Sequence, residues 1–528
     1  MKKSIKKVLP FFGLMLSGLL LVSCGSNNIS ETHSNNNSSL DNEEIKEAST
    51  KLNFELNPDE KSYFVKGIGE ETSNQIRIPE EYNHLPVTKI GYGAFERSSL
   101  QSITIPNSVK EIGSYAFSNC HSLTNVTIPF SVTLIREGAF NDCVALASIN
   151  IPNGVKEIGS FAFKKCSLTS ITIPSTVTSI GVAAFEECYK LVEVVNKSKL
   201  NIKVGSENNG CIGYYAKQVI DDESKSKLTI NNDGIVTYND TLLVNYVGTK
   251  QEIVIPDNVT KINDYAFFNC HSLTDVRISN NVTNIGEGAF YSCISLRNVI
   301  LSNKITNINK STFFNCKSLI NVTILNGVTS IQELAFGWCD SLTSITLPNT
   351  LRSIEQDAFL DCVRLVEVIN KSKLNITKGS NDYGQIGHLA MQVIDDESKS
   401  KLTTDDNGFI TYNDSKDIWF VNYVGTKKEI VIPNNITKIR MCAFEYCNTL
   451  TNITIPNSVL IIDSAAFKSC KSLTSITIPA SVTDIGMNAF SNCSSLKDIY
   501  FNGTKREWDS LYDSSLSIKK DVTIHFND

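Results

Sequence analysis

The stretch IPNSVKEIGSYAFSNCHSLTNVTIP, residues 105–129, contains one complete unit of a repeated motif and the beginning of the next. A phenylalanine marks the motif, and within each of three blocks it recurs every 22 or 23 residues. One spacing held over so many units predicts a solenoid, in which each unit stacks on its neighbours. The marker residues are Phe95, Phe117, Phe140, Phe163, Phe185; Phe267, Phe290, Phe313, Phe336, Phe359; Phe444, Phe467 and Phe490.

The first part of the unit predicts a short strand. Ile103 and Ile105 alternate with Ser102 and Thr104, so one side of the segment is apolar and the other is polar. Pro106 follows and has no N–H group for a strand ladder, which indicates that the strand ends there.

The second part of the unit predicts a helical turn. The position of Gly113 holds Gly, Asn or Asp in nine of the thirteen units, and these residues favour the first position of a helix. Ala116, Phe117 and Cys120 follow at spacings that place them on one buried side. Because one unit alone cannot cover this apolar side, neighbouring units must stack with parallel strands. The predicted fold is an α/β leucine-rich-repeat solenoid, with a curved sheet of short parallel strands, short helical turns on the other side and two small β-rich inserts.

The repeat resembles the BspA-like leucine-rich repeat family, the Treponema pallidum type of bacterial surface protein. The resemblance rests on residues 105–129 and twelve partial or full copies, and it covers most of residues 60–510. It implies an extracellular or cell-surface ligand-binding role, often adhesion, and it carries over no catalytic residues. Ser279, Ser302 and Leu325 replace the proline of the motif, which predicts longer strands in the middle block.

The amino terminus predicts secretion and lipid attachment. Four lysines within residues 1–7 precede an apolar run at 8–22, which is typical of a secretory signal. The run ends Leu-Val-Ser-Cys, which resembles the lipobox of bacterial lipoproteins and implies that Cys24 is lipidated after cleavage. The alternative is a plain secreted protein in which Cys24 is incidental. Residues 25–50 are rich in Asn and Ser and predict a flexible tether.

Two near-copies of one segment interrupt the array. LVEVVNKSKLNI at 191–202 returns as LVEVINKSKLNI at 365–376, and each copy predicts a short helical stretch, 212–220 or 386–394, followed by β-hairpins. The array is therefore expected to start three times, and Trp508 and Tyr512 are expected in a closing cap. The predicted organisation is 1–23 signal peptide, 24–50 lipidated tether, 51–190 amino-terminal cap and block 1, 191–251 insert 1, 252–364 block 2, 365–428 insert 2, 429–498 block 3 and 499–528 carboxy-terminal cap.

The charge of the chain excludes one class of partner. The formal net charge is −6, and without the four leader lysines 45 basic residues face 55 acidic ones, which leaves −10. A nucleic-acid partner would require a basic face, so none is predicted. The membrane is expected to be contacted only through the lipid anchor.

The sequence contains no recognisable catalytic or metal-binding motif. Twelve of the fifteen cysteines, from Cys120 to Cys493, occupy one repeat position, which predicts a column of buried thiols that act as small hydrophobic groups. The acidic triplets 221–223 and 395–397 could be proposed as calcium ligands, but lysines follow them at once and the spacing of an EF-hand loop is missing. Solvated turns are the favoured interpretation, and neither a cofactor nor a metal is predicted.

The outward positions of the predicted strands are the candidate ligand-facing residues. They form a neutral face rich in hydroxyl and amide groups on one exposed sheet, which suits contact with a protein or a glycan. The same composition is also the simplest soluble choice for an exposed strand. The residues are Ser102, Thr104, Asn125, Thr127, Ser148, Asn150, Thr172, Arg277, Asn298, Thr323, Thr346, Thr454 and Thr477.

These observations together predict a non-enzymatic protein, lipid-anchored on the extracellular face of a bacterial membrane. Its expected partners are extracellular proteins or glycans of a host or of neighbouring cells. Two alternatives stay open at this point. One is a passive structural protein of the envelope, and the other is an extracellular hydrolase with its site in the inserts.

Overall fold

A computed structural model of the chain describes residues 49, 51–511 and 514–527. The predicted signal peptide, Cys24, nearly all of the predicted tether and Tyr512 lie outside the described residues. The chain divides into two compact units, Met1–Thr229 and Ile230–Asp528. Among the described residues, no helix is both long and apolar enough to cross a membrane.

Most repeats contribute two short strands, which stack into two rows. In the first row Ser102 pairs with Asn125 and Thr104 with Thr127, and in the second row Glu111 pairs with Leu134. All of these pairings are parallel and join equivalent residues of successive repeats. A constant repeat length therefore produces both rows.

The bounds of the strands follow the repeat. The first row consists of Gln75–Arg77, Ser102–Thr104, Asn125–Thr127, Ser170–Ile173, Glu193–Asn196, Gln218–Ile220, Glu252–Val254, Asp275–Arg277, Asn298–Ile300, Asn321–Thr323, Ser344–Leu347, Glu367–Asn370, Gln392–Ile394, Glu429–Val431, Asn452–Thr454, Ser475–Pro479, Asp498–Asn502 and Thr523–Phe526. The second row consists of Leu85–Ile90, Glu111–Ile112, Leu134–Ile135, Glu157–Ile158, Ser179–Ile180, Lys261–Ile262, Asn284–Ile285, Asn307–Ile308, Ser330–Ile331, Ser353–Ile354, Lys438–Ile439, Ile461–Ile462 and Asp484–Ile485. The other strands are Asn53–Leu56, Tyr63–Gly67, Glu81–Tyr82, Leu228–Ile230, Ile235–Tyr238, Leu242–Tyr246, Leu402–Thr404, Phe409–Asn413 and Ile418–Tyr423.

Helix is scarce in the described residues. One α-helix spans Lys505–Leu511, and three 3-10 helices span Glu223–Lys225, Glu397–Lys399 and Ser514–Leu516. Trp508 is buried in the α-helix and packs against Phe501 of the preceding strand, with 5.3 Å between the ring centroids. The last strand pairs in parallel with the strand that contains Phe501, so this segment continues and covers the end of the array.

The prediction of helical turns within the repeats is wrong. Residues 113–122 form consecutive turns, and Tyr115 and Asn119 adopt φ values of 56° and 58°, in the left-handed region that interrupts a right-handed helix. The backbone N–H of Tyr115 donates to the carbonyl of Glu137 and that of Phe117 to Ala139, both over 2.8 Å. These N–H groups donate to carbonyls of the next repeat rather than to carbonyls four positions earlier in the chain. The backbone hydrogen bonds of an α-helix therefore cannot form.

The glycine of the motif serves close packing rather than helix capping. A Cβ atom added to Gly113 would lie 2.5 Å from the carbonyl oxygen of Ile90 in the preceding repeat. The N–H of Gly113 donates to the same carbonyl over 2.9 Å. Larger residues also occur at this position, and the N–H of Arg136 makes the equivalent hydrogen bond to Ile112 over 2.9 Å.

The phenylalanine column forms the centre of the core, as predicted. Phe117 and Phe140 are fully buried, and their nearly parallel rings stack with 5.1 Å between centroids. Similar stacks recur within every block, and burial of an aromatic ring is among the largest single contributions to stability. Three large apolar clusters contain these columns, with one cluster for each block.

Each of the three phenylalanine blocks is preceded by a hairpin. Asn53–Leu56 pairs antiparallel with Tyr63–Gly67, which then pairs in parallel with the second strand row at Leu85–Ile90. The same arrangement recurs where Leu242–Tyr246 and Ile418–Tyr423 begin the next two blocks. The hairpin covers the first open repeat.

The helical stretches predicted in the inserts are also wrong. Residues 212–217 are mainly turns, and Gln218–Ile220 is a strand that pairs in parallel with Glu193–Asn196. The latter pairs in parallel with Ser170–Ile173 of block 1, and the second copy follows the same scheme. Ile212 joins the core of block 1, so the first part of each insert extends the array instead of interrupting it.

The strands of the middle block are not lengthened by the missing prolines. Asp275–Arg277 and Asn298–Ile300 have three residues each, like the strands of block 1. After the first of them, Ser279 receives a hydrogen bond from the N–H of Val282, and its hydroxyl donates to Asp257 over 2.6 Å. This turn ends the strand without a proline.

Candidate functional site

Eleven of the thirteen candidate ligand-facing residues occupy outward positions of the first strand row, Ser148 and Asn150 lie outside its strands, and none of the thirteen is buried. Inward neighbours such as Ile103 and Val126 are buried in the core, which is the alternation expected of a strand with one solvated side. Exposed members are Thr104, Asn125, Thr127, Ser148, Asn150, Arg277 and Thr323, and half-buried members are Ser102, Thr172, Asn298, Thr346, Thr454 and Thr477.

The prediction of one continuous exposed sheet is wrong. In the part of the chain that the structure describes, the first strand row is divided among five separate sheets of three to five strands. Ser148 and Asn150 are exposed but do not belong to a strand, so they separate the sheet of Asn125–Thr127 from that of Ser170–Ile173. The outward positions therefore form local groups.

One of these groups differs from the rest in chemistry. Val254, Arg277 and Ile300 are aligned across three neighbouring parallel strands, and we refer to them as the Arg277 row. Val254 is 61% exposed and Ile300 is 55% exposed. The corresponding outward residues of block 1 include Thr104 and Thr127, so the middle block replaces hydroxyl groups by an aliphatic, a cationic and a second aliphatic side chain.

A shallow depression accompanies the Arg277 row. It has a volume of about 290 Å³, and its lining includes all three residues of the row together with Asp257. Among the described residues, no hydrogen bond or ion pair engages the Arg277 guanidinium, and its side chain is exposed. The depression thus presents the Arg277 guanidinium, which has no partner among the described residues, between the apolar side chains of Val254 and Ile300.

Acidic and amide groups lie beside the row on the same strands. Glu252 precedes Val254 by two residues, and Asp275 precedes Arg277 in the same way, so their side chains also point outward. The Asn298 amide donates to the Asp275 carboxylate over 2.6 Å. On these three strands, Arg277 is therefore a single cation among acidic, amide and aliphatic outward groups.

Sequence reasoning identified Arg277 but missed its aliphatic neighbours. Val254 and Ile300 stand at the same repeat position as the outward threonines, where an exposed aliphatic residue is unusual. Val431 and Tyr500 are further exposed apolar residues of this column. The signal was present in the sequence as apolar residues at a repeat position that carries threonine in several other units.

The thiol column has a structural role in the described residues. Ten of the twelve column cysteines are buried, and Cys270 and Cys447 are half-buried. Buried column thiols donate hydrogen bonds to the carbonyl of the phenylalanine in the preceding repeat, for example from Cys143 Sγ to Phe117 over 3.2 Å. Burial raises the pKa of the Cys188 thiol to about 12. A neutral buried thiol is a poor nucleophile, which favours a structural role for such a cysteine.

The acidic triplets form solvated turns. Asp222 accepts a hydrogen bond from the N–H of Ser224 over 2.7 Å, Asp221 pairs with Lys225, and Glu223 pairs with Lys197. The hydrogen bond from Lys225 lowers the pKa of Asp221. Residues 395–399 repeat the arrangement. Each of these carboxylates already has a partner, and no group of His, Cys, Asp or Glu suited to a metal ion occurs among the described residues.

Solved structures with a similar repeat come from several bacteria. A leucine-rich repeat protein from Bacteroides ovatus is 24% identical over 92% of this chain and 100% of its own, with a TM-score of 0.27. The Treponema pallidum leucine-rich repeat protein is 23% identical over 48% and 91%, with a TM-score of 0.26. A leucine-rich cell surface protein from Faecalibacterium prausnitzii is 22% identical over 88% and 97%, with a TM-score of 0.21. No curated protein matches the sequence.

A family model matches the chain directly. The BspA type leucine-rich repeat region occurs in six copies, at residues 71–201, 245–375 and 419–525. These residues are well over half of the chain and include the phenylalanine columns and both strand rows described above. The chain therefore belongs to the BspA-type leucine-rich repeat family.

Proposed function

We propose that this chain is a lipid-anchored protein of the bacterial cell surface, which binds extracellular protein or glycan ligands through the outward positions of its first strand row. The observation that carries the proposal is the contrast between the two sides of these strands. Inward residues are sealed in the core, whereas the thirteen outward candidates all keep solvent contact. Proteins of this repeat family are typically surface proteins that interact with other proteins.

The proposed anchor is the thioether-linked lipid of Cys24. Each buried methylene of an acyl chain adds about 0.8 kcal/mol to membrane binding, and two or more chains hold a protein stably. The Asn- and Ser-rich residues that follow serve as the spacer between the membrane and the array.

Binding is favoured over catalysis by the state of the reactive groups. The carboxylates of the acidic triplets are engaged by the lysines and backbone donors beside them. The column thiols are buried and donate to backbone carbonyls. Outward hydroxyl and amide groups, in contrast, are available to a ligand over several repeats, which suits the distributed contacts of an interface.

The test is a binding assay with residues 25–528, which retain every described residue and lack the anchor. Extracellular-matrix proteins, surface proteins of neighbouring bacteria and glycans are captured on the immobilised chain, with hydrolysis measured in parallel. Thr104→Glu, Thr127→Glu and Thr323→Glu change exposed outward positions. Thr283→Glu and Thr329→Glu are matched controls, because these exposed threonines precede strands of the second row.

We expect the outward substitutions to weaken binding and the controls to retain it. Equal effects of both sets would show that the first strand row is not the binding surface. If the chain binds none of the probes, and if deleting it weakens the cell envelope, the structural alternative is supported. Turnover without stoichiometric binding would support the hydrolase.

A further inference from the structure

We propose that the Arg277 row binds an acidic side chain of a protein ligand. A single carboxylate, which lies between aliphatic residues in an extended segment of the ligand, pairs with the Arg277 guanidinium. The inference rests on the proposed function and names the chemistry of the partner at one group of outward positions. It concerns the second unit alone, where Val254, Arg277 and Ile300 are aligned on paired strands.

The guanidinium is available for such a pair. Arg277 is exposed, and none of the described residues forms a hydrogen bond or ion pair with its guanidinium. Several other cations of the chain are paired, for example Lys310 with Glu333 and Lys66 with Glu55. The planar donor fork of arginine matches the two oxygens of a carboxylate, so a ligand carboxylate can accept two parallel hydrogen bonds.

The aliphatic neighbours set the character of the ligand. Val254 and Ile300 stand on the strands at either side of Arg277, and more than half of each side chain is exposed. Apolar groups of a ligand that cover them would remove water from around the ion pair, and an ion pair is stronger where water is excluded. A carboxylate flanked by aliphatic groups pairs with Arg277 and covers Val254 and Ile300 at the same time.

The surrounding charge excludes a polyanionic ligand. Glu252 and Asp275 are outward neighbours of the row on the same strands, and Asp257 lines the depression. A sulfated glycan presents many negative groups, which would meet these carboxylates as well as the single cation. One isolated carboxylate avoids that repulsion, so a protein segment fits the row better than a charged glycan.

The experiment selects ligands without assuming a sequence. A phage library of random twelve-residue peptides is panned on residues 25–528, and the affinity of enriched peptides is measured by fluorescence anisotropy. Arg277→Thr, Val254→Thr and Ile300→Thr each install the residue that this repeat position carries at Thr104 and Thr127, so the fold is retained. Arg97→Asn is the matched control, since it removes the same charge from an exposed turn of the first unit and asparagine tolerates the positive φ of that position.

We expect enriched peptides to carry Glu or Asp between aliphatic residues and to lose about tenfold in affinity for Arg277→Thr. Val254→Thr and Ile300→Thr should each weaken binding by a smaller factor, and Arg97→Asn should not change it. Replacing the peptide's Glu by Gln should cause a loss in wild type but none in Arg277→Thr. Selection of peptides without an acidic residue, or equal affinity for wild type and Arg277→Thr, would overturn the inference.

Two further measurements separate this inference from the proposed function. Heparin that binds wild type and is released by Arg277→Thr would assign the row to polyanionic glycans and reject the peptide ligand. Surface proteins that bind Arg277→Thr as tightly as wild type would reject the anchor while the proposed function stands. A wild-type chain that binds no surface protein or glycan would reject the proposed function itself.

Discussion

The thiol of Cys316 donates a hydrogen bond to the main-chain carbonyl oxygen of Phe290, over 3.2 Å, in the preceding repeat. Equivalent bonds join Cys339 to Phe313 and Cys362 to Phe336. Each carbonyl also accepts a bond within its own turn, as the Phe290 carbonyl does from the N–H of Cys293. Cysteine thus supplies a small apolar body together with one donor, which explains its recurrence at this repeat position.

Removing that donor should weaken the middle block. We expect Cys316→Ala to lower the free energy of unfolding by about 1–2 kcal/mol, through the lost hydrogen bond and the small void. Cys316→Ser keeps a donor and should cost less. Urea unfolding followed by circular dichroism measures the difference, and an alanine variant as stable as the serine variant would show that the thiol bond contributes nothing.

The stacked phenylalanines predict a larger loss. Phe313 lies between Phe290 and Phe336, with ring centroids 5.4 Å away on both sides. We expect Phe313→Ala to lower the free energy of unfolding by about 3–5 kcal/mol, because it removes a buried ring and breaks the stack. Hydrogen exchange should show faster opening of the middle block.

An exposed phenylalanine provides the control. Phe130 is 72% exposed, so Phe130→Ala should change the free energy of unfolding by less than about 0.5 kcal/mol. Similar losses for Phe130→Ala and Phe313→Ala would contradict the assignment of the column to the core.

Asp340 predicts a dependence of stability on pH. Burial raises the pKa of this carboxyl group to about 6, against the opposing effect of the nearby Arg364. A pKa raised in the folded state means that folding favours the protonated form. The contribution of Asp340 to stability is therefore present below about pH 4 and is lost as the pH rises through 6. Between pH 5 and pH 7 the loss should be on the order of 1–2 kcal/mol.

The matched variant isolates this contribution from the other carboxylates. Asp340→Asn resembles the protonated side chain in shape and cannot ionise, so it should be more stable than wild type at pH 7. The two chains should approach each other in stability near pH 4. Urea unfolding of both across this range checks the prediction, and parallel pH profiles would refute it.

The proposed lipid anchor predicts that a Cys24 variant changes its location. Replacing Cys24 by Ser removes the thiol to which the lipid would be attached, so the protein should be released into the medium or remain unprocessed. Cell fractionation and mass determination of the product measure this. A Cys24→Ser protein of mature size that still partitions with membranes would contradict the lipoprotein assignment.

The sequence by itself determined the repeat, its buried columns and the alternation of its strands. These features depend on contacts between successive repeats, so the spacing of Phe117, Phe140 and Phe163 places one ring on the next without further information. The three starts were visible for the same reason, because each hairpin carries its own strand pattern and turn residues.

Only the tertiary structure decided which carbonyl groups accept hydrogen bonds from the backbone N–H groups of the turns. It also decided which outward side chains have no partner among the described residues. The N–H of Phe117 could bond within its own turn or across to the next repeat, and both choices are compatible with the same apolar pattern. Stacking of the repeats places the carbonyl of Ala139 within 2.8 Å, and the helix that local sequence favours is therefore replaced by turns. In the same way, the charge of Arg277 is visible in the sequence, but that none of the described residues pairs with it depends on where the neighbouring side chains lie.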